Sequence, residues 1–213
     1  MSTRYEAFLP EVLPYVPECP EQVAINAIRN ACIEFCEKSQ YWLYDHDPIS
    51  GVAGVSTYEL DLPDYTAPAR VLDAWYNNIP LTPRGEDEIK RTYPFDWRQM
   101  EGNPVFFIQQ VPTEVILVPK PMLAASLALK LIVVLKPTRD SVQIDDEIYD
   151  RWAEGIAYGA RARLHALPNQ PFSDPVAAVK YTSMFETAIG RAKVARNRGL
   201  ARATQRVRPP RLV

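Results

Sequence analysis

Two histidines, three cysteines and a few neighbouring acids are the residues of this chain that could do chemistry. His46 lies in Asp45-His46-Asp47, a pattern that could hold a metal or relay a proton. Successive residues of a strand face opposite sides, so the three cannot converge, and the segment reads as a solvated strand end or loop. His165, close to Arg161 and Arg163 on a predicted helix, reads as an exposed helix-end residue. Cys32 and Cys36 sit one helical turn apart and could offer two metal ligands from one helix. A structural zinc site needs two more, and Cys19 with a distant His46 is a poor fit, so core packing is the reading. The acid pairs Asp61/Asp64, Asp87/Glu88 and Asp145/Asp146 could imitate a glycosidase pair. Their settings are a strand end, a polar turn and a helix start, where acids serve solubility and capping. The turn Gly51-Val52-Ala53-Gly54 lacks a following Lys-Ser/Thr and a following helix, so it is no phosphate loop. G-x-S-x-G and H-E-x-x-H patterns are absent. The expectation is therefore no catalytic residue, no metal, no cofactor and no enzyme activity.

Charge carries more information. The 213-residue chain has a net charge of −2, but the segment from Arg191 to Val213 holds 8 basic residues and no acid. That leaves 16 basic residues against 26 acids elsewhere, an acidic body with a basic tail. The tail has three readings from its residues. It could neutralise phosphates of nucleic acid, dock as an extended arm on an acidic neighbour, or be a solvated end. No Phe, Tyr or Trp follows Phe185 to stack on bases, and an acidic body repels DNA, so docking on protein is favoured. The residues expected to bind the partner are Arg196, Arg198, Arg202, Arg206, Arg208 and Arg211.

The elements that must position these residues follow from periodicity and turn chemistry. Pro10, Pro14, Pro17 and Pro20 mark an extended or turning arm. Ala24, Ile25, Ile28, Cys32, Phe35 and Cys36 form the apolar stripe of a helix over 21–39. A β-rich centre follows, with strands expected at Tyr41–Asp45, Thr57–Leu62, Val71–Tyr76, Ile79–Leu81, Val105–Gln110, Glu114–Val118 and Leu127–Leu135. Asn77-Asn78 predicts a tight hairpin, because Asn tolerates positive φ. Glu86–Arg91 reads as a short polar helix. Asp145 and Asp146 open a first C-terminal helix with a stripe at Ile148, Trp152, Ile156, Ala160 and Leu164. Its small residues, among them Gly155 and Gly159, would let another helix approach closely. Pro168 to Pro171 breaks it, Ser173 or Asp174 caps the next helix, and Ala178, Tyr181, Phe185, Ala188, Ile189 and Ala192 should face inward. A short break between two long helices predicts an antiparallel pair. The cysteines suggest reduced, partly buried thiols in a cytoplasmic setting. Residues Met1 to Pro10 lack the apolar region of a signal peptide, and the apolar run Leu127 to Leu135 is too short to cross a membrane.

In order and spacing the chain resembles the head-to-tail adaptor (tail tubular, head-completion) proteins of short-tailed bacteriophages. The resemblance runs over about residues 9 to 195. It starts with the Pro-rich beginning leading into Val23 to Ala31 and the helix end at Phe35-Cys36. It continues through Trp75-Tyr76-Asn77-Asn78-Ile79-Pro80-Leu81-Thr82-Pro83, Gly102-Asn103-Pro104-Val105-Phe106-Phe107, and Val115 to Pro121. It ends with Leu129 to Pro137, Ile144 to Ile148, Ile156 to Ala160, the break at Pro168 to Pro171, and Phe185. The resemblance implies a structural virion protein at the capsid–tail junction, made in the host cytoplasm. Its implied partners are further copies in a ring, expected to be dodecameric, a portal protein and a tail nozzle or tube. Double-stranded DNA would pass through the lumen without specific binding, and no membrane is involved.

The fold expected is α+β. An N-terminal helix and a C-terminal antiparallel helix pair form a bundle, with a mostly antiparallel β-rich insertion and an extended basic tail. The domains expected are 1–40 with 144–199, 41–143, and the tail 200–213. Two other functions stay open: a virion hydrolase acting on peptidoglycan through an acidic pair, and a nucleic-acid-binding protein using the tail.

Overall fold

The computed structural model describes residues 2–93 and 96–199. Strand β1 (Ser2–Arg4) leads through a 3-10 turn (Tyr5–Phe8) into helix α1 (Leu9–Val12) and a second 3-10 turn (Leu13–Tyr15). The long helix α2 (Glu21–Ser39) follows. Then come β2 (Leu43–Gly51), β3 (Thr57–Glu59), β4 (Thr66–Tyr76), β5 (Ile79–Pro80), β6 (Thr82–Pro83) and the short helix α3 (Glu86–Thr92). Six strands come next: β7 (Glu101–Gly102), β8 (Phe106–Ile108), β9 (Glu114–Val118), β10 (Lys120–Pro121), β11 (Ala125–Pro137) and β12 (Gln143–Asp145). Helices α4 (Asp146–His165) and α5 (Pro175–Arg198) end the described chain. The fold is mixed α+β, with several antiparallel sheets. The chain forms two compact units. One joins the segment ending at Tyr41 to the segment beginning at Ser141; the other runs from Trp42 to Asp140.

In the first unit, α4 packs on both α2 and α5. Asp145 caps α4 by accepting a hydrogen bond from the Glu147 N–H at 2.9 Å. Asp174 caps α5 by accepting from Val176 and Ala177 at 2.9 and 3.0 Å, with Pro175 at the first position, where its missing N–H leaves nothing unpaired. Gly155 faces Ala188 and Gly159 faces Phe185. Numbers rise along α4 as they fall along α5, so the two helices run antiparallel. A Cβ on Gly159 would lie 2.8 Å from the Phe185 ring, and one on Gly155 would lie 2.8 Å from the Ala188 Cβ. Both glycines therefore set the distance between the helices.

The proline-rich start differs from the expected arm. Tyr5, Phe8, Val12 and Val16 are fully buried, and their spacing of three and four residues is that of one helical face. Pro10 and Pro14 fall in the first turns of α1 and the second 3-10 turn, where proline is tolerated. Short helical turns thus carry an apolar face into the core. β1 pairs antiparallel with β12, Thr3 opposite Ile144, and fastens this segment to the start of α4.

The second unit holds two four-stranded sheets, in the orders β2-β11-β4-β5 and β3-β9-β8-β6. Leu129, Leu131, Val133 and Leu135 of β11 alternate onto the inner face. They join Val71, Ala74 and Tyr76 from β4 and Phe107, Val115 and Leu117 from the other sheet in one core. The second sheet is buried on both faces: Ile108 and Val118 turn outward to pack with Ile89 of α3 and Trp97. Asn77 and Asn78 take φ of 50° and 62°, which builds the hairpin between β4 and β5. β4 begins earlier than expected, at Thr66. Pro68 is accommodated where the β4–β11 register shifts between Val134 and Leu135. β2 likewise runs on from Asp45 to Gly51.

Gly190 of α5 provides a contrast, since a Cβ there would meet nothing within 4 Å. Gly190→Ala should stabilise the protein by roughly 0.5–1 kcal/mol through helix propensity. Gly159→Ala gains the same propensity but should lose roughly 1–3 kcal/mol to overpacking, and part of that loss should return in Gly159→Ala/Phe185→Leu. Urea unfolding followed by helical circular dichroism distinguishes the two. A Gly159→Ala protein as stable as Gly190→Ala would reject the close-approach role.

Candidate functional site

The residues that could do chemistry are placed in structural roles. His46 is buried inside β2, not at a solvated end. The Asp61 N–H donates to its Nε2 at 3.0 Å, so Nδ1 carries the proton and donates to the Asp47 carbonyl at 2.6 Å. Asp45 and Asp47 point to the exposed side. The ring joins β2 to the segment after β3, a long-range bond that no local pattern could announce. His165 is also buried, against the expectation of an exposed helix end. Its Nδ1 lies 2.9 Å from the Phe172 carbonyl, and the Asp174 N–H bonds the His165 carbonyl at 3.0 Å, so the α4–α5 turn closes over it. Gly51 lies against the Tyr76 ring, which explains its lack of a side chain. Cys19, Cys32 and Cys36 are buried free thiols. Among the described residues no three of His, Cys, Asp and Glu gather as a metal site. Of the acid pairs, Asp145 is a helix cap, Asp146 accepts from Thr3, and Glu88 pairs with Arg84.

A polar cluster that sequence reasoning missed lies in the first unit. Arg161 is 3% exposed. Its Nε donates to the Glu11 carbonyl at 2.8 Å, and Nη2 reaches the same oxygen. The guanidinium lies 3.6 Å from the Tyr15 ring centre, 5.2 Å from Tyr158 and 5.4 Å from Tyr181. Tyr181 stacks between Tyr158 and His165, at 6.1 and 5.6 Å. The Tyr158 hydroxyl donates to Glu154; that bond, and then burial, push its pKa up to about 12. Arg163, two residues on and so on nearly the opposite side of α4, pairs with Glu34 of α2 and donates to the Gly159 carbonyl at 3.0 Å. Two arginines of α4 thus tie the N-terminal segment and α2 to the hairpin. The available signal was an Arg within a helical run of small residues, three places after Tyr158 and four before His165.

Among the described residues the geometry offers caps, ties and a cation cage. The family model of the SU10 adaptor protein matches residues 3–210. The chain belongs to this family. The match spans both compact units and agrees with the resemblance to phage head-to-tail adaptors. No curated protein matches the chain. Of the arginines expected from the sequence to bind a partner, two lie among the described residues. Arg196 donates to Gln40 Oε1 at 2.6 Å and to Asn197 Oδ1, tying the last turn of α5 to the end of α2. Arg198 is exposed in that turn. Arg202, Arg206, Arg208 and Arg211 lie outside the described residues. Among the described residues no helix of the adaptor is long and apolar enough to cross a membrane.

Two measurements test these roles. Arg161→Ala should cost roughly 2–4 kcal/mol by orphaning the Glu11 carbonyl and emptying the tyrosine cage. Arg161→Lys should recover only part of that, since an ammonium cannot donate twice and stack flat together; equal stability of Arg161→Ala and wild type in urea would reject the role. Burial pushes the Cys32 and Cys36 thiols well up, holding them protonated. At mildly alkaline pH an aromatic disulfide reagent should label both only after unfolding. Rapid labelling of Cys32 in the folded protein would contradict its burial.

Proposed function

We propose that the chain is a structural head-to-tail adaptor of a phage virion. In this reading copies form a ring between the portal and the tail nozzle and extend the channel through which DNA passes. The observation that carries it is the SU10 adaptor match across residues 3–210. The arrangement of polar groups supports it, because both histidines are buried and hydrogen-bonded, the three thiols are buried, and Asp145 and Asp146 serve as a helix cap and a partner of Thr3. The acidic body would keep passing DNA from adhering, by like-charge repulsion. The tail from Gly199 onward, with Arg202, Arg206, Arg208 and Arg211, docks on the portal or on a neighbouring copy.

Deleting residues 200–213 should leave the circular dichroism spectrum and the unfolding midpoint unchanged while abolishing co-sedimentation with purified portal rings. Undiminished co-sedimentation would sink the docking role. Electron micrographs of full-length protein mixed with portal should show an added ring on the portal, and bare portals would contradict the adaptor reading.

A further inference from the structure

Two edges of the helical unit carry exposed apolar side chains and charges of opposite sign. From Tyr5 to Ile28 there is no Lys, Arg or His, and the acids Glu6, Glu11, Glu18 and Glu21 are all exposed. Glu11 approaches Arg161 at 3.8 Å; the other three form no ion pair among the described residues. Tyr15 and Val23 are exposed beside them. The outer face of α5 is the counterpart. Val176 and Val179 are 80% and 73% exposed, and Ser183, Thr187, Gly190 and Val194 continue that face at helical spacing. Lys180, Arg191, Lys193 and Arg198 flank it, with no acid after Glu186. Arg191, Lys193 and Arg198 have no ion-pair partner among the described residues. Glu6, Glu18 and Glu21 on one side, and Arg191, Lys193 and Arg198 on the other, thus form no ion pair among the described residues, while Glu11 meets Arg161 and Lys180 lies over the Tyr181 ring.

Gly190 adds a geometric reason. The glycines of α4 are explained by Ala188 and Phe185, but among the described residues nothing lies within 4 Å of a Cβ placed on Gly190. A glycine inside a 24-residue helix is destabilising relative to alanine. The close approach of another backbone gives that glycine a use.

We propose that the outer face of α5, from Val176 to Arg198, is the docking surface for the acidic edge, from Glu6 to Val23, of a second copy of this chain. Nucleic acid would engage the bases but leave the valines and the acidic edge unpartnered. One association between copies covers all three, with charges setting orientation and approach. The two patches differ, so the contact is heterologous and each copy meets two neighbours. The inference rests on the ring reading and supplies its lateral joint.

The test uses full-length protein in sedimentation at low salt. Wild type should associate beyond dimers, and added salt should reverse this. Carbodiimide coupling followed by mass spectrometry should join Lys180 or Lys193 of one copy to Glu18 or Glu21 of another. Arg191→Glu/Lys193→Glu and Glu18→Lys/Glu21→Lys should each weaken association roughly tenfold or more with an unchanged circular dichroism spectrum. Mixing the two should restore it, because each reversed edge then meets a complementary one. A wild type that assembles while both variants assemble equally well overturns the joint and leaves the ring reading standing. A wild type that stays monomeric at every concentration also overturns it, and the ring is then judged separately on portal micrographs. Loss of binding to a short DNA duplex in Arg191→Glu/Lys193→Glu, with association intact, would instead assign the bases to nucleic acid.

Discussion

The buried Arg161 guanidinium joins the N-terminal turns to the helices of the first unit. Arg161 reaches the Glu11 carbonyl, rests against the Tyr15 ring and lies beside Tyr158 and Tyr181. Three stretches remote in the chain therefore meet on one guanidinium: the N-terminal turns, α4 and α5. A buried charge is costly unless it is hydrogen-bonded and surrounded by favourable groups, so the cage must form as a whole. That requirement fixes where the proline-rich start lies against α4, and the stack of Tyr158, Tyr181 and His165 extends the constraint into the α4–α5 turn.

Close packing completes what the cation begins. Gly155 and Gly159 bring α5 against α4, while β1, paired with β12, holds the chain start near the cap at Asp145. The β-rich unit solves a different problem. Its long central strand β11 is covered on both edges by β2 and β4, and its inner residues face a second sheet that is itself buried on both sides. The histidines and thiols are part of this construction. His46 and His165 close loops, and the thiols fill the core.

Much of the element order was legible. The stripe of α2, the capping acids of α4 and α5, and Asn77-Asn78 are local signals that act within a few residues, and each marks its element. The close helical approach was also legible, because glycines in the middle of an apolar helix need a neighbour to explain them. What could not be read locally depended on remote partners. His46 looked solvated because the side chains of its neighbours Asp45 and Asp47 face the exposed side, while one of the groups that satisfies it, the Asp61 N–H, lies 15 positions further along the chain. The four prolines hid a helical face at Tyr5, Phe8, Val12 and Val16, since proline at a first turn resembles proline in a loop.

The sequence by itself determined the mixed α+β character, the long helices with their caps, the hairpin, and the contrast between an acidic body and a basic end. These follow from periodicity, turn chemistry and charge count, which need no knowledge of what lies across the fold. Only the tertiary structure decided that Arg161 is a buried tie and not a surface charge, that both histidines are buried, and that the N-terminal turns belong to the core. Burial and hydrogen-bond satisfaction depend on segments about 150 positions apart, and a one-dimensional pattern holds no record of which distant carbonyl or ring a side chain will meet.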